Sequence, residues 1–160
     1  MVKNNVVRLL ENRKIPHTVF ELPAEKLGAR ETAALLGVPP SQVFKTIVVQ
    51  RASSRVVLVV VPGDREVDLK AVAAFLGEKK VHLPSEREAE AITQLQAGGI
   101  SPLALLNKGF LVIVDRRALD WESIHISGGQ RGLNIRLAPQ DLIALCQAKV
   151  ADVSREEHSP

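Results

Sequence analysis

The chain has 160 residues, of which 46% are apolar and 24% charged, and its formal net charge is +3. This length and composition fit one soluble globular domain and exclude an extensively disordered chain. No apolar run reaches the roughly 18 residues of a membrane span, and the single cysteine excludes an internal disulfide, so we expect a cytoplasmic protein without a membrane partner.

Charge and histidine placement limit the ligands that the chain can bind. Basic residues occur as separate pairs rather than in one block, which permits nucleic acid as a partner without requiring it. Aromatic residues make up 3% of the chain, which disfavours a stacking surface for single strands. The four histidines show no paired ligand spacing, so we expect neither a metal ion nor another cofactor.

Apolar spacing predicts the elements of the first half of the chain in order. Helices are indicated over residues 2–12 and 29–36, with a short strand over 17–21 between them. Gly37 ends the second helix. Two β-branched runs, 43–50 and 56–61, flank a polar turn and therefore predict a β-hairpin.

Capping residues and β-branched runs predict the elements of the second half. Asp68 begins a helix that ends before Gly77, and residues 80–83 form a candidate strand. The capping box of Ser85 and Glu88 begins a helix that runs to Leu95. The remaining predictions are strands over 110–115, 123–126 and 133–137 and a last helix with Pro139 in its first turn.

These elements do not alternate regularly between strand and helix. We therefore predict a single α+β domain over residues 1–153, in which helices surround a mixed, partly curled β-sheet. Residues 154–160 are expected to form a flexible C-terminal tail. The glycine motifs of dinucleotide-binding and P-loop folds do not occur in the sequence, so a doubly wound nucleotide-binding fold is not expected.

Two glycine-containing turns, over 98–102 and 127–132, are candidates for a binding site. Paired glycines let backbone N–H groups point the same way and let a ligand approach the main chain closely. Ser101 and Ser127 add hydroxyl donors, and two such turns facing one pocket stabilise a carbonyl or a developing oxyanion. Two ordinary hairpin turns are the alternative interpretation, and the sequence leaves both open.

Lys45 is the unexpected residue of its strand, because it shares a row with the apolar Val43 and Ile47. It either lines a pocket, where it pairs with a phosphate or polarises a ligand oxygen, or protects an edge strand from pairing. Both interpretations stay open at this point.

The sequence contains no evident activated nucleophile. Cys146 lies on an apolar helix face and is interpreted as a packing residue. His125 and Ser127 share one strand face, a spacing compatible with a base and a nucleophile, but a packed or exposed strand histidine is the favoured interpretation.

Four segments resemble the YbaK family, whose members are free-standing relatives of the editing domain inserted in bacterial prolyl-tRNA synthetases. The matching segments occur in the family's order and are Val43–Thr46, Gly98–Leu103, Ser127–Leu133 and Ala138–Leu142. The resemblance runs from Val2 to Val153. It implies an aminoacyl-tRNA deacylase that hydrolyses mischarged tRNA, with Cys-tRNA(Pro) as the expected substrate.

The resemblance also implies which residues form the site. Catalytic roles fall to Lys45, Gly98 and Gly99: the lysine holds the terminal adenosine and the aminoacyl ester, and the glycine turn supplies amides to the ester carbonyl. The implied substrate-binding residues are His17, Thr18, Thr46, Ile100, Ser101, Pro102, Ser127, Gly128, Gly129, Arg131 and Asp141. Neither a metal nor a covalent protein nucleophile is implied, since cysteine-specific members use the thiol of the substrate and other members use water.

The implied partner is the acceptor end of a mischarged tRNA rather than DNA, with prolyl-tRNA synthetase as a candidate second partner. The chain departs from the family pattern where Val19 stands for a tyrosine, Gln130 for a lysine and Ala104 for a glycine, which leaves the amino-acid preference and the tRNA contacts open. Two other functions remain. One is a non-catalytic module that binds an aminoacyl-adenosine or another nucleotide and acts with a synthetase; the other is a hydrolase that uses the Cys146 thiol.

Overall fold

Helices and strands follow one another irregularly along residues 3–157, the part of the chain that this computed structural model describes. The α-helices are α1 (Asn5–Asn12), α2 (Ala29–Leu36), α3 (Leu69–Leu76), α4 (Glu86–Thr93) and α5 (Pro139–Cys146). The strands are β1 (His17–Glu21), β2 (Phe44–Gln50), β3 (Val56–Pro62), β4 (Arg65–Val67), β5 (Leu111–Asp115), β6 (Ile124–Ser127), β7 (Leu133–Leu137), β8 (Lys149–Ala151) and β9 (Ser154–Glu156). Short 3-10 helices lie at Pro40–Gln42, Ala52–Ser54, Pro102–Lys108 and Arg116–Asp120.

The strands of residues 3–157 form one mixed sheet and two antiparallel ones. The mixed sheet has the order β2-β3-β5-β8, in which β2 and β3 are antiparallel while β3, β5 and β8 run parallel. The antiparallel sheets have the orders β1-β7-β6 and β4-β9. A parallel bridge between Val43 and His125 joins the chain entering β2 to β6. The predicted α+β class with a mixed sheet is therefore confirmed.

Two apolar cores lie on opposite faces of the mixed sheet. On one face, Phe44 and Val48 of β2 pack in a core shared with β6, β7, α1 and α5. On the other face, Val49 of β2 and Val59 of β3 pack with α3. Alternate residues of β2 therefore belong to different cores, as the two-residue period of a strand requires. The start of β2, which carries Lys45, lies where the mixed sheet meets β6.

Local capping signals are confirmed in detail. The Asp68 carboxylate accepts a hydrogen bond from the Ala71 N–H at 3.0 Å and begins α3. Ser85 Oγ accepts from the Glu88 N–H at 3.1 Å, and the Glu88 carboxylate accepts from the Ser85 N–H at 3.0 Å. These contacts satisfy backbone donors that have no partner within the first turn of a helix. Every helix within residues 3–157 falls short of the length and apolarity that crossing a membrane requires.

Two predictions of local structure are wrong. Residues 80–83 do not form a strand, since only His82 bridges to Gln50, and the following Pro84 lacks the N–H that a longer ladder would need. The prediction of a flexible tail is also wrong for residues 154–156, because they form β9, which pairs with β4, and the preceding Val153 is buried. Residues 1–2 and 158–160, and with them Val2 of the first predicted helix, lie outside the described residues.

Candidate functional site

A cavity of about 330 Å³ opens beside the start of β2. Its walls come from four segments that are distant in sequence: the loop between β1 and α2, the start of β2, the loop after α4, and the β6–β7 hairpin. Representative lining residues of these walls, in the same order, are Leu22 and Lys26, Lys45 and Thr46, Gly98 and Ile100, and Ser127 and Asn134. The volume lies at the lower end of the range for small-ligand sites.

The two predicted glycine turns contact each other. Gly98 has a φ of +88°, a conformation that favours glycine. A Cβ on Gly99 would lie 2.9 Å from backbone atoms of Gln130 and Arg131 in the second turn. Arg131 Nε donates to the carbonyl oxygen of Ala97 at 2.7 Å, so a side chain of the second turn anchors the first. The turns therefore form one unit at the side of the cavity.

Lys45 lines the cavity, and its side chain is 30% exposed. Its Nζ lies 3.5 Å from the carbonyl oxygen of Gly63 and 3.7 Å from Oε1 of Glu157. Lys45 lines a pocket and also lies on β2, an edge of the mixed sheet, so its position is compatible with both interpretations of this lysine. The ammonium group provides a positive charge that an anionic or strongly polar ligand can approach.

A buried polar pair lies behind the wall formed by β6 and β7. His125 is 1% exposed, and its Nδ1 lies 2.8 Å from Oδ1 of Asn134, a residue that lines the cavity. Because Asn134 Oδ1 accepts, the ring donates through Nδ1, and Nε2 finds no partner among the described residues. Burial lowers the pKa of His125, which keeps the ring neutral near pH 7. The structure thus confirms a packed strand histidine rather than a base facing Ser127.

Part of the predicted site lines this cavity, namely Lys45, Thr46, Gly98, Ile100 and Ser127. A second group, Gly99, Gly128, Gly129 and Arg131, shapes the two loops instead. The Gly128 N–H donates to the Leu133 carbonyl at 2.8 Å, and the Gly129 N–H donates to Ser127 Oγ at 3.2 Å. These bonds close the β6–β7 hairpin, so the turn at 127–132 is both a hairpin turn and a cavity wall.

The remaining predicted site residues are not among those that line the cavity: His17, Thr18, Ser101, Pro102 and Asp141. Ser101 is fully buried, and its Oγ accepts from the Leu103 N–H at 3.2 Å as the cap of a 3-10 helix. Pro102 lines a different groove, and Asp141 lies in the first turn of α5. Thr18 Oγ1 accepts from Arg136 at 3.1 Å, and His17 Nδ1 lies 2.7 Å from the Ile15 carbonyl oxygen. The side chains of His17, Thr18 and Ser101 are thus engaged in contacts away from the residues that line the cavity.

Sequence reasoning missed one wall of the cavity and one support of the second turn. The missed wall is the loop before α2, where Lys26 forms an exposed ion pair with Glu86. The missed support is Asn4, whose amide donates to the Gly128 carbonyl at 2.8 Å and to Gln130 Oε1 at 3.2 Å. Asn4 also caps α1, and an asparagine before an apolar helical run is the signal that identifies it.

Cys146 lies in α5 and lines the groove that contains Pro102 rather than the cavity beside Lys45. Burial raises the pKa of its thiol to about 12, so the nucleophilic thiolate is scarce at neutral pH. The interpretation of Cys146 as a packing residue agrees with this placement. Within residues 3–157, His, Cys, Asp and Glu side chains form no group of three or more that could hold a metal ion.

Comparisons with known proteins agree with this fold. The family model described as the aminoacyl-tRNA editing domain matches residues 24–145. An Enterococcus faecalis protein named "Putative Cys-tRNA(Pro)/Cys-tRNA(Cys) deacylase EbsC" is 32% identical over 157 residues, which cover 97% of this chain and 95% of that protein. A proline–tRNA ligase of Rhodococcus opacus is 32% identical over 102 residues, which cover 62% of this chain and 18% of the ligase. The solved structure of "a putative trans-editing enzyme for prolyl tRNA synthetase" has a TM-score of 0.80 and 25% identity, covering 99% of this chain and 100% of that one.

The strand that carries Lys45 and the two contacting glycine turns line one cavity of this α+β domain, whose fold is that of an editing domain. The chain belongs to the aminoacyl-tRNA editing domain family, which confirms the YbaK-type resemblance and the expected function as an editing deacylase.

Proposed function

We propose that this chain hydrolyses the ester bond of mischarged Cys-tRNA(Pro) in the cavity that Lys45 lines. The observation that carries the proposal is the convergence of Lys45, Gly98 and Ser127 on one cavity of about 330 Å³. A cation, a main-chain turn and a hydroxyl are together sufficient to hold an ester and to stabilise charge that develops on its carbonyl oxygen.

Lys45 and the first glycine turn supply the electrostatic part of catalysis in this proposal. The carbonyl oxygen of the ester becomes an oxyanion when a nucleophile attacks. Donors fixed in place before the reaction stabilise that charge without a cost of reorganisation. The Lys45 ammonium and the main chain at Gly98 line the same space and are the assigned donors. Thr46, Ile100 and Ser127 contact the aminoacyl group and the terminal ribose.

The attacking group comes from the substrate rather than from the protein. For a cysteinyl ester, the thiol sulfur attacks the carbonyl carbon, the bond from that carbon to the ribose oxygen breaks, and the thiol proton passes to the ribose oxygen. The products of this step are cysteine thiolactone and uncharged tRNA, and water then opens the thiolactone to cysteine, which completes the net hydrolysis. The placement of Cys146 and Ser101 supports this assignment, because both side chains lie outside the residues that line the cavity and both are engaged in packing or capping.

We also propose that tRNA identity is read with help from prolyl-tRNA synthetase. The net charge of +3 is small, so phosphate contacts by this chain alone give weak and salt-sensitive binding. The similarity to a segment of a proline–tRNA ligase and to a structure described as a trans-editing enzyme for that synthetase supports this partner. The acceptor end of the tRNA is the part that enters the cavity.

The decisive experiment compares a cysteinyl ester with a seryl ester, which differs from it in one side-chain atom, and with the correctly charged prolyl ester. Purified protein is incubated with Cys-tRNA(Pro), Ser-tRNA(Pro) and Pro-tRNA(Pro), with and without EDTA, and the remaining aminoacyl ester is measured over time. We expect Cys-tRNA(Pro) to be hydrolysed fastest, with no effect of EDTA and no effect of Cys146→Ala. Hydrolysis of none of the esters contradicts the proposal, and tight binding of a non-hydrolysable aminoacyl-adenosine without turnover identifies a binding module instead.

A further inference from the structure

Glu157 joins two cations at the edge of the cavity. Its Oε2 accepts from the Arg30 guanidinium at 2.7 Å, and its Oε1 lies 3.7 Å from Lys45 Nζ. Both cations contribute to lowering the pKa of the Glu157 carboxyl, with the hydrogen bond from Arg30 as the largest cause. A single carboxylate therefore bridges a residue of α2 and the lysine of β2.

A buried network fixes the backbone that leads into Glu157. The Asp115 carboxylate, fully buried, accepts from the Val153 N–H at 3.1 Å and from Arg117 at 3.1 Å. The strand that follows, β9, pairs with β4. Together these contacts hold the chain up to Glu156 and direct the next residue towards Arg30 and Lys45.

Two cations at this point can bind an anion. Arg30 and Lys45 together carry a charge of +2, and the carboxylates of Glu157 and of Asp64, whose charge also acts on Arg30, offset it. A guanidinium and an ammonium are the side chains that proteins use to bind phosphate, and a carboxylate between them occupies the position that a phosphate oxygen would take. The side chains of all three residues are between 30% and 59% exposed, so a ligand can reach them from solvent.

We propose that Arg30 and Lys45 form a subsite for a backbone phosphate at the 3′ end of the tRNA, and that Glu157 occupies this subsite until the phosphate displaces it. This inference rests on the proposed function, because that function brings a phosphodiester to the cavity. Lys45 is shared by the two sites, since it lines the cavity and also pairs with Glu157. The terminal phosphate thus reaches Lys45 from the Arg30 side while the ester lies in the cavity.

The test compares AMP with adenosine, which differ only in the phosphate. Binding of each is followed by NMR in the wild-type chain and in the Glu157→Gln and Arg30→Met variants. Exposed ion pairs contribute little, so we expect about a two- to fivefold gain in AMP affinity for Glu157→Gln and a loss of about the same factor for Arg30→Met. Adenosine affinity should stay unchanged in both variants, and the AMP-dependent shifts should include the amides of residues 30, 45 and 157.

Matched controls separate the subsite from a general charge effect. Glu156→Gln removes the same charge one residue away, on a side chain that lines a different groove, and Lys149→Met removes a cation at the far edge of the mixed sheet. Neither control should change the ratio of AMP to adenosine affinity. An unchanged or weaker AMP affinity in Glu157→Gln, or an equal gain for adenosine, overturns the proposal.

The outcome is independent of whether the chain deacylates tRNA. If Glu157→Gln binds AMP more tightly but adenosine equally well, and the protein hydrolyses no ester, the result supports the subsite and contradicts the proposed function. If the protein hydrolyses Cys-tRNA(Pro) but the variants bind AMP and adenosine with the same affinities as the wild type, the result contradicts the subsite alone.

Discussion

Substituting Gly99 with alanine tests whether the two glycine turns act as one unit. The new Cβ would lie 2.9 Å from the backbone of Gln130 and Arg131, whereas ordinary contacts begin at 3.4 Å, so the turns must separate by about 0.5 Å. Backbone atoms cannot rotate away as the end of a side chain can. Overpacking of this kind costs about 1–3 kcal/mol of the free energy of unfolding.

The same separation alters the wall that carries Gly98 and Ile100. Because a displacement of about 1 Å in a catalytic arrangement can reduce the rate by about 100-fold, we expect kcat/KM for deacylation to fall by about tenfold. Urea unfolding and single-turnover deacylation measure the two effects. Gly28→Ala is the matched control for the unfolding measurement only, because Gly28 also lines the cavity; a Cβ there lies 3.5 Å from Glu31 Oε1, and the φ of −75° suits alanine. Wild-type stability and activity in Gly99→Ala would refute the close contact between the turns.

Two further predictions concern buried groups. Burial raises the pKa of the Cys146 thiol to about 12, so iodoacetamide should label this thiol far more slowly in the native protein than in urea. The Cys146→Ala variant should retain deacylation activity. Rapid labelling of the native protein with loss of activity would contradict the interpretation of Cys146 as a packing residue. Burial lowers the pKa of His125, so the unfolded chain takes up this proton more readily than the native state. The contribution of neutral His125 to stability is therefore complete above its ordinary pKa of about 6.5 and is lost as pH falls through the lowered native value. Urea unfolding is measured at several pH values between about 7.5 and 5, the range in which histidine titrates. The free energy of unfolding should fall less with pH in His125→Gln than in the wild type, and equal losses would contradict the assignment.

Features of the fold that depend on neighbouring residues were predictable from the sequence. The cap at Asp68, the capping box at Ser85 and the β2–β3 hairpin are all set by residues a few positions apart. The bounds of β1 and α2 agree with the prediction for the same reason. A β-branched run or a capping side chain acts locally, so the sequence contains the whole signal.

Features that depend on distant residues were not predictable in the same way. The strand β9 exists because residues 154–156 pair with residues 65–67, and no local pattern indicates that partner. In the site, Lys45 and Gly98 were identified correctly as cavity residues, whereas Ser101 uses its hydroxyl to cap a helix and Asp141 lies elsewhere on the fold. The bridge from Glu157 to Lys45 joins residues more than a hundred positions apart, and only the folded chain reveals it.

The central claim is that the Lys45 ammonium stabilises the ester during deacylation in the cavity between β2 and the glycine turns. Single-turnover hydrolysis of Cys-tRNA(Pro) by the wild type and by Lys45→Met, with Tm recorded for both, tests it most directly. This substitution keeps most of the aliphatic part of the partly exposed side chain and removes the ammonium group. We predict a rate about 100-fold lower at a nearly unchanged Tm, and an equal rate in the folded variant would contradict the account.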